Sequence, residues 1–301
     1  MLLTATGSSE TVGSVRSRDV DHYASRINML YLEALRAFKS RARERKICFG
    51  MHISTTSAQV VEMAGHVGLD FVIVSREVEQ IDDAQTEHLL RAANASGMVP
   101  MMKLRRSDPH LVEDALNAGA PLLNVPHIRT RQDLDAVVRA SRFAPKGTRG
   151  LCPAARYNAF GAGALDHARN IANEESSIIP ILEDKECLDH LDELMSSPDV
   201  DIFEIGPFDL SQSLGLNASL SYGNPETMAA VEKICAAAQQ HGKVVMAPSW
   251  FPREPVAAPE MIDRQVHELV SRGITVLYHL VDIMLLARTL REMMPIRDRH
   301  R

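Results

Sequence analysis

Apolar residues along the chain follow two alternating rhythms. Short, nearly continuous apolar runs at 47–52, 71–75, 99–103, 121–126, 178–183, 202–206, 243–248 and 274–279 have the length and composition of buried strands. Between them, at 57–67, 84–95, 109–117, 131–142, 185–195, 226–241, 259–271 and 282–293, apolar positions recur three and four residues apart, as on one face of a helix. Strand and helix signals alternating in this way predict an α/β chain in which parallel strands close into a (β/α)8 TIM barrel. The longest interruption, about 147–177, carries Gly147-Thr148-Arg149-Gly150 and Phe160-Gly161-Ala162-Gly163 and reads as loop.

Ahead of this pattern, Tyr23, Ile27, Leu30, Leu35 and Phe38 fall mostly on one helical face, and the charged run 39–46 follows. A helix there is expected either to plug the bottom of the barrel or to pack on a neighbouring subunit. The expected layout is a disordered tail at 1–18, an amino-terminal helical extension at 19–46, and one barrel domain at 47–301. The 301 residues are 45% hydrophobic, ample for such a core. A net charge of −6 and a pI near 6.1 give no basis for a nucleic-acid partner. No apolar run reaches membrane-spanning length, so no membrane partner is expected. Cys48, Cys152, Cys187 and Cys235 lack any zinc spacing and read as reduced thiols of a cytoplasmic protein.

Barrel enzymes carry their chemistry at the carboxyl ends of the strands. Those positions here hold His52, Glu77, Lys103, His127, Glu183, Asp209, Ser249 with Trp250, and His279. Glu183 and Asp209 end neighbouring strands, so two hard oxygen ligands can converge on a divalent cation, Mg2+ or Mn2+ before Co2+ or Zn2+. The competing reading is that both merely cap the helices that follow. The histidines could equally be core or rim residues, and Lys103 could begin a solvated basic run with Arg105 and Arg106.

Four pieces of sequence, Gly206-Pro207-Phe208-Asp209-Leu210-Ser211, the Pro145 to Gly150 loop, Leu123-Asn124-Val125-Pro126, and Asp282 with Leu285-Leu286-Ala287-Arg288, resemble the HpcH/HpaI aldolase and citrate-lyase-like barrels. The resemblance runs nearly collinearly from about Gly50 to Arg288. It implies metal-dependent chemistry on a 2-oxo acid, with Glu183 and Asp209 as metal ligands and a homo-oligomer, trimer or hexamer. It also implies that the Gly206-Pro207-Phe208 turn receives a substrate carboxylate through nearby backbone N–H groups.

The departures from the family pattern are equally informative. Where the family has an Asp-Gly-Glu-His run after the second strand, this chain has Ser75-Arg76-Glu77-Val78, so the proton-transferring histidine is absent. Lys103 stands where the family has an arginine that binds the keto acid and its enolate, which keeps the charge and loses the planar two-pronged donor. Ile181 and Phe208 replace a glutamine and a small residue.

The function expected is therefore a metal-dependent carbon–carbon lyase, aldolase or synthase acting on a 2-oxo acid through a stabilised enolate, in a specialised biosynthetic role. Lys103 adds positive charge at the enolate oxygen. His52, then His127, then Glu77 are the candidate bases, and Arg149, with Arg76, Arg105 and Arg106, could bind a second anionic group or sit in salt bridges. The alternatives are an oxaloacetate-type decarboxylase or citrate-synthase-like condensing enzyme, and a barrel that has lost its chemistry and serves as a ligand-binding or assembly protein.

Overall fold

A computed structural model describes residues 32–249 and 259–300. The expected tail at 1–18, the first part of the amino-terminal helix and Trp250 lie outside the described residues. Eight parallel strands close in sequence order into one barrel: β1 Cys48–Ile53, β2 Phe71–Ser75, β3 Val99–Lys103, β4 Leu122–Val125, β5 Ser177–Leu182, β6 Ile202–Ile205, β7 Val244–Pro248 and β8 Ile274–Val281. The fold is the expected (β/α)8 barrel, with an amino-terminal helix, α1, at 32–43. The flanking helices are α2 Ala58–His66, α3 Asp83–Ala95, α4 Pro109–Ala118, α5 Arg131–Ser141, α6 Leu165–Glu175, α7 Leu191–Met195, α8 Pro207–Ser213, α9 Pro225–Gln240, α10 Pro259–Val270 and α11 Asp282–Arg299.

Local chemistry sets where these helices begin. Asp82 and Thr130 form reciprocal capping boxes with Gln85 and Asp133, and Asp108 caps α4 with Pro109 at its first position. Two elements depart from the expectation. The stretch read as loop contains α6, and the helix expected at 185–195 is broken into a tight turn, Lys185–Asp189, followed by the single turn of α7.

Strand alternation divides the core in two. Outward-facing residues such as Val72, Val74, Leu123, Phe203 and Val245 pack against the surrounding helices. Inward-facing Cys48, Phe71, Ile73, Val99, Met101, Leu122, Ile179, Ile202, Val244 and Val276 form a second cluster, closed at the amino-terminal end by Leu35, Phe38 and Ala42 of α1. Of the two roles open to the helix before the barrel, it takes the plug. Phe38 meets Phe71 edge-on with centroids 5.6 Å apart, and burying such a ring contributes about 1.5–3 kcal/mol. Gly50, paired with Phe71 across β1 and β2, makes room for that ring, since a Cβ at Gly50 would sit 2.4 Å from it. One end is thus filled with hydrocarbon, and the polar side chains gather at the other.

Candidate active site

Leu182 pairs with Ile205, so the chain leaves β5 and β6 side by side, Glu183 beside Gly206. Glu183 is only 1% exposed. Its Oε1 accepts the His127 N–H at 3.0 Å, an approach made possible by the left-handed backbone of His127 at φ 57°. Its Oε2 is buried without a hydrogen-bond partner, and lies directly over Gly206, where an added Cβ would approach it to 2.4 Å. Burial, reinforced by Glu77 and opposed by Lys103 and His127, pushes the Glu183 carboxyl up to about 7. A buried, half-satisfied carboxylate is costly unless a cation completes it.

Asp209 sits in the first turn of α8, and its side chain makes no capping bond to that helix. Asp184, next to Glu183, makes no capping bond either. Side-chain capping bonds are thus absent at Asp184 and Asp209, while Asp209 keeps the first-turn position that favours an acidic residue at a helix start. Two carboxylates at one rim, one with an orphaned oxygen, fit a hard divalent ion that takes its remaining ligands from water or substrate. Among the described residues no group of three or more His, Cys, Asp or Glu side chains converges on a metal position.

The rim around the pair is organised by charge. Asp184 lies 3.1 Å from His127 Nδ1, accepts from Arg129 Nη2 at 3.1 Å, and forms an ion pair with Arg129 Nε at 3.1 Å. The ring of His127 is thereby oriented while staying 44% exposed at the mouth. Across the opening, Lys103 bonds Glu77 Oε2 at 2.7 Å. Burial alone would lower the Lys103 pKa, but Glu204, Glu77 and Glu183 outweigh it and hold the group firmly as an ammonium.

Below the rim, Glu204 accepts from Tyr278 OH at 2.8 Å and from Asn124 Nδ2 at 2.6 Å. His52 also faces inward, edge-on to Tyr278 with centroids 6.0 Å apart and with Nε2 buried and unpartnered. Its pKa is lowered to about 4, first by burial and then by Lys103, so the ring is neutral near pH 7. Ser249 Oγ contacts His279 Nδ1 at 3.0 Å on the adjoining strands.

The structure thus brings His52, Lys103, Glu77, His127, Glu183 and the Gly206-Pro207-Phe208-Asp209 turn to one end of the barrel. Pro207 is buried and Phe208 half-buried at the start of α8. Val78 is 77% exposed, and Ser75 instead bonds Glu79, which also accepts from Ser54.

Arg149 does not belong with this group. Its Nη2 donates to Asn117 at 2.8 Å, its guanidinium stacks on Phe143 and Tyr157, and it lies beside Ala120 and Pro121 at the start of β4, the opposite end of the barrel. The turn after α5 puts it there, because the Arg149 N–H bonds the Arg142 carbonyl. Substrate binding at the mouth by Arg149 is therefore corrected to a packing role. Of the other arginines, Arg76 pairs with Asp83, and Arg106 with Asp108 at 3.7 Å. Asp184, Asn124, Glu204 and Tyr278 were not singled out from sequence. The signal available for Glu204 was its period-two spacing from inward Ile202.

A closed parallel barrel with Glu183, Glu77, Lys103 and His127 gathered at its carboxyl end has the layout in which barrel enzymes carry their chemistry. The family model for HpcH/HpaI aldolase/citrate lyase matches residues 48–273, and the chain belongs to that family. The 2-keto-3-deoxy-L-rhamnonate aldolase of Escherichia coli K12 is 29% identical over 215 residues, covering 70% of this chain and 79% of the aldolase. A HpcH/HpaI aldolase/citrate lyase family protein from Burkholderia cenocepacia J2315 superimposes with TM-score 0.75 at 26% identity, covering 87% of this chain and 99% of its own. Citrate synthase SbnG superimposes with TM-score 0.73 at 26% identity, covering 87% and 97%.

Proposed function

We propose that this protein is a divalent-metal-dependent carbon–carbon lyase or synthase acting on a 2-oxo acid. The observation that carries the reading is the buried Glu183 carboxylate, with one oxygen orphaned and pressed against Gly206, on the same rim as Asp209. Glu183 and Asp209 would hold the ion, Mg2+ or Mn2+ by the hardness of the donors. When bound, such an ion supplies Lewis-acid polarisation of a keto oxygen and offsets charge on the enolate that carbon–carbon cleavage or condensation requires.

The chain's own residues do the rest. The Gly206-Pro207-Phe208 turn receives the substrate carboxylate. The Lys103 ammonium, steadied by Glu77, places a fixed positive charge where the enolate oxygen develops. With Val78 standing where the family has its histidine, His127 takes the proton-transfer role, because Asp184 fixes Nδ1 and leaves the other ring nitrogen for substrate. His52, buried and neutral, shapes the pocket wall beside Lys103, and Glu77 acts as the partner of Lys103 rather than as a base. We take 47–301 as one catalytic domain of a cytoplasmic trimer or hexamer.

A condensing reaction, in which the same enolate attacks an acyl or keto acceptor, is the second reading, favoured by the likeness to citrate synthase SbnG. Exchange of the pyruvate methyl protons in D2O, followed by NMR, tests the step common to both. Exchange is expected with Mn2+ or Mg2+ present, to vanish on chelation, and to fall about a hundredfold or more in Glu183→Gln and Asp209→Asn. Exchange that survives chelation, or either substitution, refutes the reading. Comparing aldehyde-dependent cleavage with oxaloacetate turnover then separates aldolase from condensing or decarboxylating enzyme.

A further inference from the structure

Barrel interiors are ordinarily filled by layers of branched apolar side chains. In this barrel five strands turn polar side chains into the layer under the mouth, beside apolar Ile181 and Pro248. The alternation that turns Ile73, Met101, Leu122, Ile202 and Val276 inward also turns Ser75, Lys103, Asn124, Glu204 and Tyr278 inward one pleat higher. Glu204 is 1% exposed and Asn124 fully buried. Both Glu204 oxygens are acceptors, Oε1 from Tyr278 OH at 2.8 Å and Oε2 from Asn124 Nδ2 at 2.6 Å; burial raises the pKa of this carboxyl, and Lys103 with these two hydrogen bonds opposes that rise and favours the ionised form.

A carboxylate at that depth needs a cation facing it. The strand register supplies one, because Lys103 is the direct neighbour of Asn124 across β3 and β4. The Asn124 Oδ1, buried without a partner, adds another acceptor to the wall beside Lys103.

We propose that Glu204, clamped between Tyr278 and Asn124, is a positioning residue: it is the buried counter-charge that fixes the Lys103 ammonium at the base of the mouth. The proposal rests on the assignment of Lys103 to the 2-oxo acid. A lysine is a flexible point charge, without the preset fork of an arginine. Held by Glu77 from the side and attracted by Glu204 from below, the ammonium keeps donors in hand for an oxygen above it. The ionisable groups facing it are Glu77 after β2, Glu183 after β5, Glu204 on β6 and neutral His52 on β1.

Glu204→Gln removes the charge and keeps the shape. The test is acylation of lysines by acetic anhydride at pH 9, read residue by residue by mass spectrometry, with exposed Lys146 as the internal reference. Lys103 should label about tenfold faster in Glu204→Gln than in wild type, the effect of removing one nearby opposite charge. The kcat of pyruvate proton exchange should fall about tenfold with KM within about twofold, the split expected when a positioning group for the enolate charge is lost. The thermal midpoint should fall as well, since removing one partner of a buried ion pair leaves the Lys103 charge less compensated.

Unchanged labelling with an unchanged kcat, or a lowered midpoint alone, would show that Glu204 is structural and overturn the proposal. Should Glu204→Gln fail to fold, Glu204→Leu, an apolar filler of the same layer, gives the same two readings. If wild type exchanges no pyruvate protons, the enzymatic reading falls while the labelling ratio still decides the role of Glu204.

Discussion

Gly206→Ala perturbs the proposed metal site without removing any functional group. Gly206 has φ −96° and ψ 84°, a backbone conformation that costs alanine little, so the effect arises from space alone. The new methyl would lie 2.4 Å from Glu183 Oε2, 2.7 Å from Glu183 Cβ and 3.2 Å from Ile181 Cγ2. Ordinary contact is about 3.5 Å, so the carboxylate must move by about 1 Å. It has little freedom to do so, because the His127 N–H holds Oε1 and the clash extends to its own Cβ. Overpacking of this kind costs about 1–3 kcal/mol, and a 1 Å displacement of a ligating group lowers turnover by about a hundredfold. Calorimetric titration with Mn2+, thermal unfolding and pyruvate proton exchange measure the three consequences. Gly150→Ala is the control, since its added carbon would meet only Glu113 Oε2 at 3.6 Å. A Gly206→Ala protein that binds Mn2+ and exchanges protons like wild type would refute the assignment of Glu183 as a ligand.

His52, with its pKa lowered to about 4 from an ordinary 6.5, makes the unfolded chain bind more protons between those pH values. Stability is therefore full above pH 6.5 and falls as pH drops toward 4. The loss owed to this group, about 3 kcal/mol, should be missing in His52→Gln when unfolding is followed across that range. Sodium borohydride with pyruvate should not inactivate the enzyme or add mass at Lys103, because a lysine held as an ammonium by three carboxylates cannot form an imine. Arg149→Ala should lower stability by about 1–3 kcal/mol through loss of its Asn117 bond and its aromatic stacking, while KM for the 2-oxo acid stays within about twofold. A raised KM with unchanged stability would return Arg149 to the substrate.

The barrel was legible because its strands are buried on both faces and its helices on one, so apolar residues alone mark both rhythms. The ends of β2 and β3 fall where the apolar runs stop. Helix α6 was hidden because only Ala168 and Asn173 along it are buried, which leaves no apolar stripe, and because the glycines before it read as loop. The rim carboxylates could be placed from chain order, since each follows an apolar strand. Which residues bond to one another at the rim could not. That His127 uses its backbone on Glu183 and its ring on Asp184 depends on a left-handed turn that no spacing announces. Arg149 lies away from the mouth because a loop after a helix belongs to the closed end of the barrel, a consequence of topology that its charge does not signal. Glu204 lies within an apolar strand run, and only its inward phase marks a charge placed inside the core.

A crystal structure of the protein soaked with Mn2+ and oxalate measures the central claim directly. The account predicts an anomalous manganese peak bridging Glu183 and Asp209, with oxalate completing the shell and one of its oxygens facing Lys103. Manganese bound elsewhere, or Glu183 and Asp209 left without it at saturating concentration, would contradict the account.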